Sequence, residues 1–310
     1  MFKLHLVPTN PNVEFISRRS MFFVFSAILI LASAVLFFSR NLNYGIDFKG
    51  GILIEVRTQE AGRLGDMRST LGGLGLGEVA LQEFGAPTDI LIRVQRQEGG
   101  EKAQQKAVEA VKQALGGGVQ YRRTEFVGPK VSEELFRDGV LAVGLAVIAI
   151  LIYIWFRFEW QFGVVAVIAL IHDVLTTIGI FALTGMEFNL STVAAILTIA
   201  GYSINDTVVV YDRVRENLRK YKKLALPELL NNSINETLSR TVMTSVTTLL
   251  ALSSLYVLGG EVIRGFSFAM IWGVLVGTYS SICLAVPLLL YMNIKRGGES
   301  SSPAGEGEAA

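Results

Sequence analysis

Asp206 lies in Asn189–Tyr211 (NLSTVAAILTIAGYSINDTVVVY), a stretch otherwise apolar enough to cross a bilayer. An ionised carboxylate near the middle of a membrane helix costs on the order of 2.5–3.5 kcal/mol even on the milder insertion scale, so such an acid is expected to have a partner, a proton or an ion. Ser203, Asn205 and Thr207 surround it, and Gly201 and Tyr202 lie a turn earlier. The helix therefore has a small, polar side that can face its neighbours. Arg240 opens a later apolar run, SRTVMTSVTTLLALSSLY, in which Arg240, Thr244, Thr247 and Thr248 share a helical face. With each hydropathy midpoint at the bilayer centre, Asp206 falls about 9 Å and Arg240 about 13 Å toward the same side. A long arginine side chain covers that difference, so an Asp206–Arg240 pair is expected, with a snorkelling interfacial anchor as the alternative role for Arg240. A nearby cation and burial act in opposite senses on a carboxyl's protonation, which makes such a pair a proton switch.

His172-Asp173 stands near the centre of another apolar run, Phe162–Thr184. Adjacent residues point about 100° apart on a helix, so one is expected to meet the Asp206 helix and the other a second partner. Histidine titrates near neutrality and suits a proton relay; a packing role is the alternative. Two acids on successive spans also raise an intramembrane aspartyl protease, in which a shared proton lets one act as acid and the other as base. The depth estimate argues against it, because Asp173 is near the centre and Asp206 about 9 Å lower.

Other chemistry finds little support. His5 and His172 are the only histidines, and no metal-ligand spacing stands out. Gly72-Gly73-Leu74-Gly75-Leu76-Gly77 lacks the strand-before, helix-after context of a phosphate loop. The single Cys283 sits inside an apolar run and reads as filler. A net charge of +1 gives no bulk case for nucleic-acid binding. No metal and no cofactor are expected; the drive would come from protons.

The elements that must position these residues are membrane helices. Charged residues make up 18% of the chain and the mean hydropathy is +0.46, which places it in the membrane class. Runs long enough to span are Met21–Phe38, Gly139–Phe156, Phe162–Thr184, Asn189–Tyr211, Thr241–Leu258 and Ser267–Met292. Basic residues cluster before the first run (Lys3, Arg18, Arg19), after the fourth (Arg213, Arg215, Arg219, Lys220, Lys222, Lys223) and after the last (Lys295, Arg296). By the positive-inside rule these segments and both termini are cytoplasmic. Gly185–Phe188 and Gly259–Phe266 fall outside. Arg18-Arg19 resembles the start of a twin-arginine signal, but no small-x-small cleavage site follows before Arg40, so an uncleaved anchor is expected. The basic Arg213–Lys223 segment suits anionic lipid at the inner leaflet, and Pro227 suggests a lateral helix before the fifth span.

Residues 39–137 have the statistics of a soluble domain. Gly51–Thr58 alternates apolar and polar, Glu60–Leu71 suits a short helix, and Glu78–Phe84 and Ile90–Gln95 read as strands joined through Gly85–Asp89. Glu101–Leu115 is an amphipathic helix stopped by three glycines, and Val119–Val127 a last strand. The order βαββαβ predicts a ferredoxin-like α+β domain. The fold class is therefore a polytopic α-helical membrane protein with six transmembrane helices and this extracytoplasmic domain between helices one and two. The expected division is 1–20 cytoplasmic, 21–38 helix one, 39–137 outer domain, 138–292 helices two to six with a basic cytoplasmic loop at 212–239, and 293–310 a disordered Gly/Ser/Glu-rich tail.

Several motifs together resemble the SecF family of protein-export membrane subunits. They are Phe48-Lys49-Gly50-Gly51 after the first span, Val127-Gly128-Pro129 before the second, His172-Asp173 in the third, Gly201 through Arg213 (GYSINDTVVVYDR) in the fourth and Ser239-Arg240-Thr241 at the fifth. The likeness covers about 15 to 295. It implies a partner, SecD, in a pseudo-symmetric twelve-span unit similar to the RND exporters. It implies assistance to the SecYEG channel after the SecA motor has begun translocation, with the proton gradient used to pull unfolded preproteins from the outer side. By motif position it gives Asp206 and Arg240 the proton-linked role, with His172, Asp173, Asn205 and Thr244 as weaker members. It makes Phe48, Gly50, Gly51, Val127, Gly128 and Pro129 structural or hinge positions. Movement would then pass from the fourth and fifth spans to the outer domain through the second span and Val127-Gly128-Pro129. Half of an RND-like small-molecule exporter is the competing reading, disfavoured by an outer domain of only about 100 residues.

Overall fold

The computed structural model describes residues 11–60, 64–292 and 294. Lys3, His5, Lys295, Arg296 and the Gly/Ser/Glu-rich tail lie outside the described residues. So do 61–63 within the helix expected at Glu60–Leu71.

The chain opens with α1 (Arg19–Arg40), the two-residue β1 (Asn43–Tyr44) and the single turn α2 (Ile46–Lys49). The outer domain follows as β2 (Gly51–Thr58), α3 (Leu64–Gly72), β3 (Val79–Phe84), β4 (Ala86–Val94), α4 (Gly100–Leu115) and β5 (Val119–Val127). Its antiparallel sheet has the order β3-β4-β2-β5. The first and third strands of the βαββαβ unit thus lie at the centre of the sheet. Ile52, Ile54, Val56, Ile90, Ile92 and Val94 point to one face, where they pack with Met67 and Leu71 of α3 and Ala107 and Val111 of α4. Alternation along the two central strands produces this split, because successive strand residues face opposite ways. β4 starts at Ala86, four residues earlier than expected, because Gly85 turns the chain by itself at φ +85°.

Six described helices are long and apolar enough to cross a membrane. After the outer domain they are α5 (Pro129–Arg157), α6 (Trp160–Thr184), α7 (Leu190–Lys220), α8 (Leu226–Leu258) and α9 (Glu261–Ser280), with the short β6 (Glu187–Phe188) before α7. α9 runs on through a π turn at Ser281–Ala285 and short helical turns to Tyr291. α6, α7 and the last span are the buried centre, whereas α1, α5 and α8 expose apolar side chains such as Ile28, Leu31, Leu145, Ile148 and Leu250. A helix that is apolar all round but little buried is the form a lipid-facing rim takes. Close packing between the helices depends on small residues: a Cβ at Gly179 would overlap Ser33 of α1, and one at Gly273 would overlap Ile199 of α7.

Hydropathy underestimated several helices. α5 begins at Pro129, ten residues before its apolar run, so strand β5, Gly128 and helix α5 follow one another with no loop. Gly128 is extended at φ −71°, ψ 159°, as a residue before proline prefers, and its carbonyl accepts from Ser132 N at 3.0 Å. The segment expected as a basic loop at 212–239 is helical except for 221–225, and Pro227 sits in the first turn of a continuous α8, so no separate lateral helix forms. Asn231 and Asn235 of α8 accept from the backbone of Phe15 and Val13 at 2.9 Å, and Arg19 Nε donates to Tyr291 Oη at 3.3 Å. The start of α1, the α7–α8 connection and the end of the last span thus share one end of the bundle. β1, β6 and the outer domain occupy the other.

Gly50 and Gly51 both require glycine. Their φ angles are +70° and +121°, and a Cβ on Gly51 would approach Val94 O to 2.7 Å. Phe48, one turn before them, packs edge-on to Tyr44 and Phe136 near Phe188, so this motif seats the base of the outer domain on α5 and β6.

Candidate intramembrane polar site

α7 carries its polar residues on two faces. Ser203, Asp206 and Thr207 point into the bundle and are buried, whereas Thr198, Gly201 and Asn205 are exposed. The inward set follows from i, i+3, i+4 spacing. Asp206 is 8% exposed, and its Oδ1 accepts from Thr241 Oγ1 of α8 at 2.7 Å. Its Oδ2 is buried without a hydrogen-bond partner. Ser281, at the start of the π turn, stands beside it, but its hydroxyl is engaged 2.8 Å from Thr207 Oγ1.

The expected Asp206–Arg240 ion pair is not formed. Arg240 is exposed, and no ion pair within 4.0 Å joins the two. Thr244 and Thr247 are exposed with it, and Thr244 Oγ1 turns back to Thr241 O at 2.9 Å. The inward polar face of α8 is instead Thr241 and Ser245, the latter 2.6 Å from Thr278 Oγ1 on α9. One residue of offset rotates the face by about 100°, enough to turn the arginine out and bring its neighbour in. Thr248 does meet α7, accepting from Tyr202 Oη at 3.4 Å.

A second buried acid is more fully held. Asp173 Oδ2 accepts from Ser203 Oγ of α7 at 2.6 Å and from Ser280 Oγ of α9 at 2.8 Å, while its Oδ1 lies 3.0 Å from His172 Nδ1. Asp173 therefore reaches both neighbouring spans by itself. His172 is buried beside the Tyr279 ring, and its Nε2 has no partner. Gly277 makes the meeting possible: a Cβ there would lie 3.1 Å from Ser203 Cβ and 3.6 Å from Asp173 Oδ2. With Gly273 it forms a Gly-x-x-x-Gly stripe facing α7, a signal readable in the sequence. Ser280 and Ser281 gave no such signal, being two hydroxyls in an apolar run. No hydrogen bond joins Asp173 to Asp206, and both Asp173 oxygens are occupied, so the shared-proton dyad of an aspartyl protease is not assembled. Among the described residues no group of three or more His, Cys, Asp or Glu is placed to hold a metal.

Comparison with known proteins agrees with this architecture. Residues 107–295 match the family described as protein export membrane protein SecD/SecF, C-terminal, and residues 35–61 match the SecD/SecF GG motif. The protein translocase subunit SecF of Rickettsia rickettsii (strain Sheila Smith) is 46% identical over 300 residues, which are 95% of this chain and 97% of that one. The SecF subunit of Cereibacter sphaeroides is also 46% identical, over 98% of this chain and 97% of its own. Among solved structures, SecDF of Thermus thermophilus, a translocon-associated membrane protein, matches with a TM-score of 0.83 at 37% identity over 92% of this chain. SecDF in a super-membrane-facing form matches over the same share with a TM-score of 0.68 at 38% identity. This chain spans 39% of the length of each of those SecDF chains. The GG motif holds the two positive-φ glycines beneath the outer sheet, and the C-terminal match holds both buried acids; the chain belongs to the SecD/SecF family of protein export membrane proteins, with full-length likeness to SecF subunits.

Proposed function

We propose that this chain is the SecF-like subunit of a proton-driven export unit, working with SecD on preproteins that pass through SecYEG downstream of SecA. The observation that carries the proposal is the buried carboxyl of Asp206, held on one oxygen by Thr241 and open on the other. A group so placed in an apolar bundle is completed by gaining or losing a proton, and each state makes a different demand on α8 and the last span. A potential of 100 mV supplies about 2.3 kcal/mol per charge, so a few protons per cycle can bias a two-state arrangement.

The partner is supported by the outward faces of α7 and α8. Gly201, Asn205, Arg240, Thr244 and Thr247 are exposed along spans that otherwise show lipid-compatible side chains. Polar and charged groups at membrane depth need covering by protein, and a second six-span bundle of the same family supplies it. In that setting Arg240 acts from the subunit boundary rather than as a direct partner of Asp206. His172 and Asp173 serve chiefly to tie α6, α7 and α9 into one unit. The outer domain, ferredoxin-like by strand order, stands on the extracytoplasmic side of a bacterial inner membrane, with the α1 start and α7–α8 connection cytoplasmic. There Arg215, Arg219 and Lys220 are placed for anionic lipid. Catalysis of a covalent reaction and a bound cofactor form no part of this reading.

The test is export into inverted membrane vesicles with and without a proton gradient. Asp206→Asn is expected to abolish the gradient-dependent part while leaving insertion and complex formation intact. Normal gradient-dependent export by that variant would overturn the proposal.

A further inference from the structure

Two covalent connections join the outer domain to the bundle, through Gly50-Gly51 to α1 and through Gly128 to α5, and neither of those helices carries a buried acid. A third connection is not covalent. Arg93 lies on central strand β4, opposite Leu53 of β2, on the sheet face turned away from α3 and α4. On that face Leu53 and Leu91 pack on Ile46 of α2, so the sheet rests against the membrane end of the molecule. The Arg93 side chain is only 17% exposed; it donates to Asn43 Oδ1 at 2.9 Å and forms a short ion pair with Glu187. Asn43 and Glu187 are register partners in the parallel pair β1·β6, so one guanidinium grips both strands of that pair.

β6 leads directly into α7. Glu187 O accepts from Thr192 Oγ1 at 3.4 Å, Asn189 caps the helix by accepting from Thr192 N at 3.1 Å, and Asp47 of α2 accepts from Leu190 N at 2.9 Å. Every one of these bonds fixes the first turn of α7, and Asp206 lies on the same helix about 24 Å further along. Rigid secondary elements are among the structures that carry coupling between distant sites. The groove around the contact, about 260 Å³, is lined further by Glu55, Glu125, Arg123 and Arg264, so the Arg93–Glu187 pair sits among charges of both signs.

We propose that Arg93 is a positioning residue that couples the outer sheet to α7, and thereby to Asp206, by gripping Glu187 and Asn43. The inference rests on the proton-driven reading given above and assigns its mechanical path to β4, β6 and α7, where the motif resemblance had pointed to Val127-Gly128-Pro129 and α5. The test uses Arg93→Gln, Glu187→Gln and the double variant in the assembled complex, with two readouts: gradient-dependent export, and the distance between spin labels at Gln120 on β5 and Ser191 in the first turn of α7. Each single variant is expected to lower gradient-dependent export roughly fivefold or more, the span typical of a coupling free energy, and to broaden the label distance. The double variant is expected to be no worse than either single, as for residues acting through one contact. Arg93→Lys, which keeps one donor and the charge, is expected to recover most of both signals. Wild-type export by the single variants while Asp206→Asn is inactive would overturn the linkage alone. Loss of export with an unchanged distance, or additive losses in the double variant, would overturn it as well. Gradient-dependent export by Asp206→Asn would overturn the reading of the acid itself, and the linkage with it.

Discussion

Thr241 Oγ1 donates to Asp206 Oδ1 at 2.7 Å across the contact between α7 and α8, while Arg240, the preceding residue, faces out of the bundle. The acid is thus met by a neutral hydroxyl that can donate to the ionised carboxylate and, after a proton arrives, can rotate to accept. An arginine in the same place could only donate. The arrangement makes the α7–α8 contact compatible with both protonation states, with a different bond in each.

Thr241→Val removes that hydroxyl at nearly constant volume. Interhelical hydrogen bonds in membranes contribute about 0.6 kcal/mol on average and up to roughly 1.7, so gradient-driven export is expected to fall about 3- to 20-fold with assembly intact. Thr241→Ser is expected to restore most of it. Vesicle export rates at fixed gradient check both, and a Thr241→Val variant with wild-type rate would show that the bond does not matter.

Gly277 sets the distance between α9 and α7. A leucine there drives Ser203 away and breaks the Ser203–Asp173 and Ser280–Asp173 bonds. The expected loss is about 1–3 kcal/mol, as for overpacking elsewhere, read as earlier thermal unfolding of the detergent-solubilised complex. Gly277→Ala, whose Cβ must displace Ser203 by only a few tenths of an ångström, is expected to lose less. Equal stability of all three would refute the close-packing argument.

In the outer domain, the Arg57 guanidinium bonds Asp89 at 2.5 and 2.7 Å and holds its carboxyl below the ordinary value of 3.8. The unfolded chain therefore takes up the proton first. The stabilisation is present above about pH 3.8 and is lost as the pH falls through the folded value. Hydrogen-exchange protection of the β2–β4 ladder should decline over that window, and Asp89→Asn should flatten the decline. Protection that stays constant in the wild type through pH 3 would contradict it.

Much of this was legible in the chain itself. The outer βαββαβ order showed because its strands alternate cleanly and glycines punctuate them, and the spans showed because a bilayer demands long apolar runs. Asp206 and His172-Asp173 stood out because charge is rare there. The rotation of α8 was not legible: Arg240, Thr241, Thr244 and Ser245 place polar groups on adjoining faces, and only packing against α7 and α9 decides which turns inward. Arg93 and Glu187 were missed for another reason. They lie 94 residues apart, each ordinary in its own segment, and no local pattern joins them.

The parallel pair β1·β6 has a consequence for the order in which the molecule is assembled. Asn43 and Gly185, bonded through Asn43 Nδ2 at 2.9 Å, are 142 residues apart. During synthesis β1 emerges after the first span and waits unpaired until the whole outer domain and two helical spans, α5 and α6, have followed. The outer domain has all its strands by Val127 and pairs them only with one another, so its sheet can close before β6 exists. Closing so long a loop adds only slowly to the entropic cost but delays the event. The clasp between the outer sheet and α7 is therefore among the last contacts made at that end of the bundle, after the domain it holds has already taken shape.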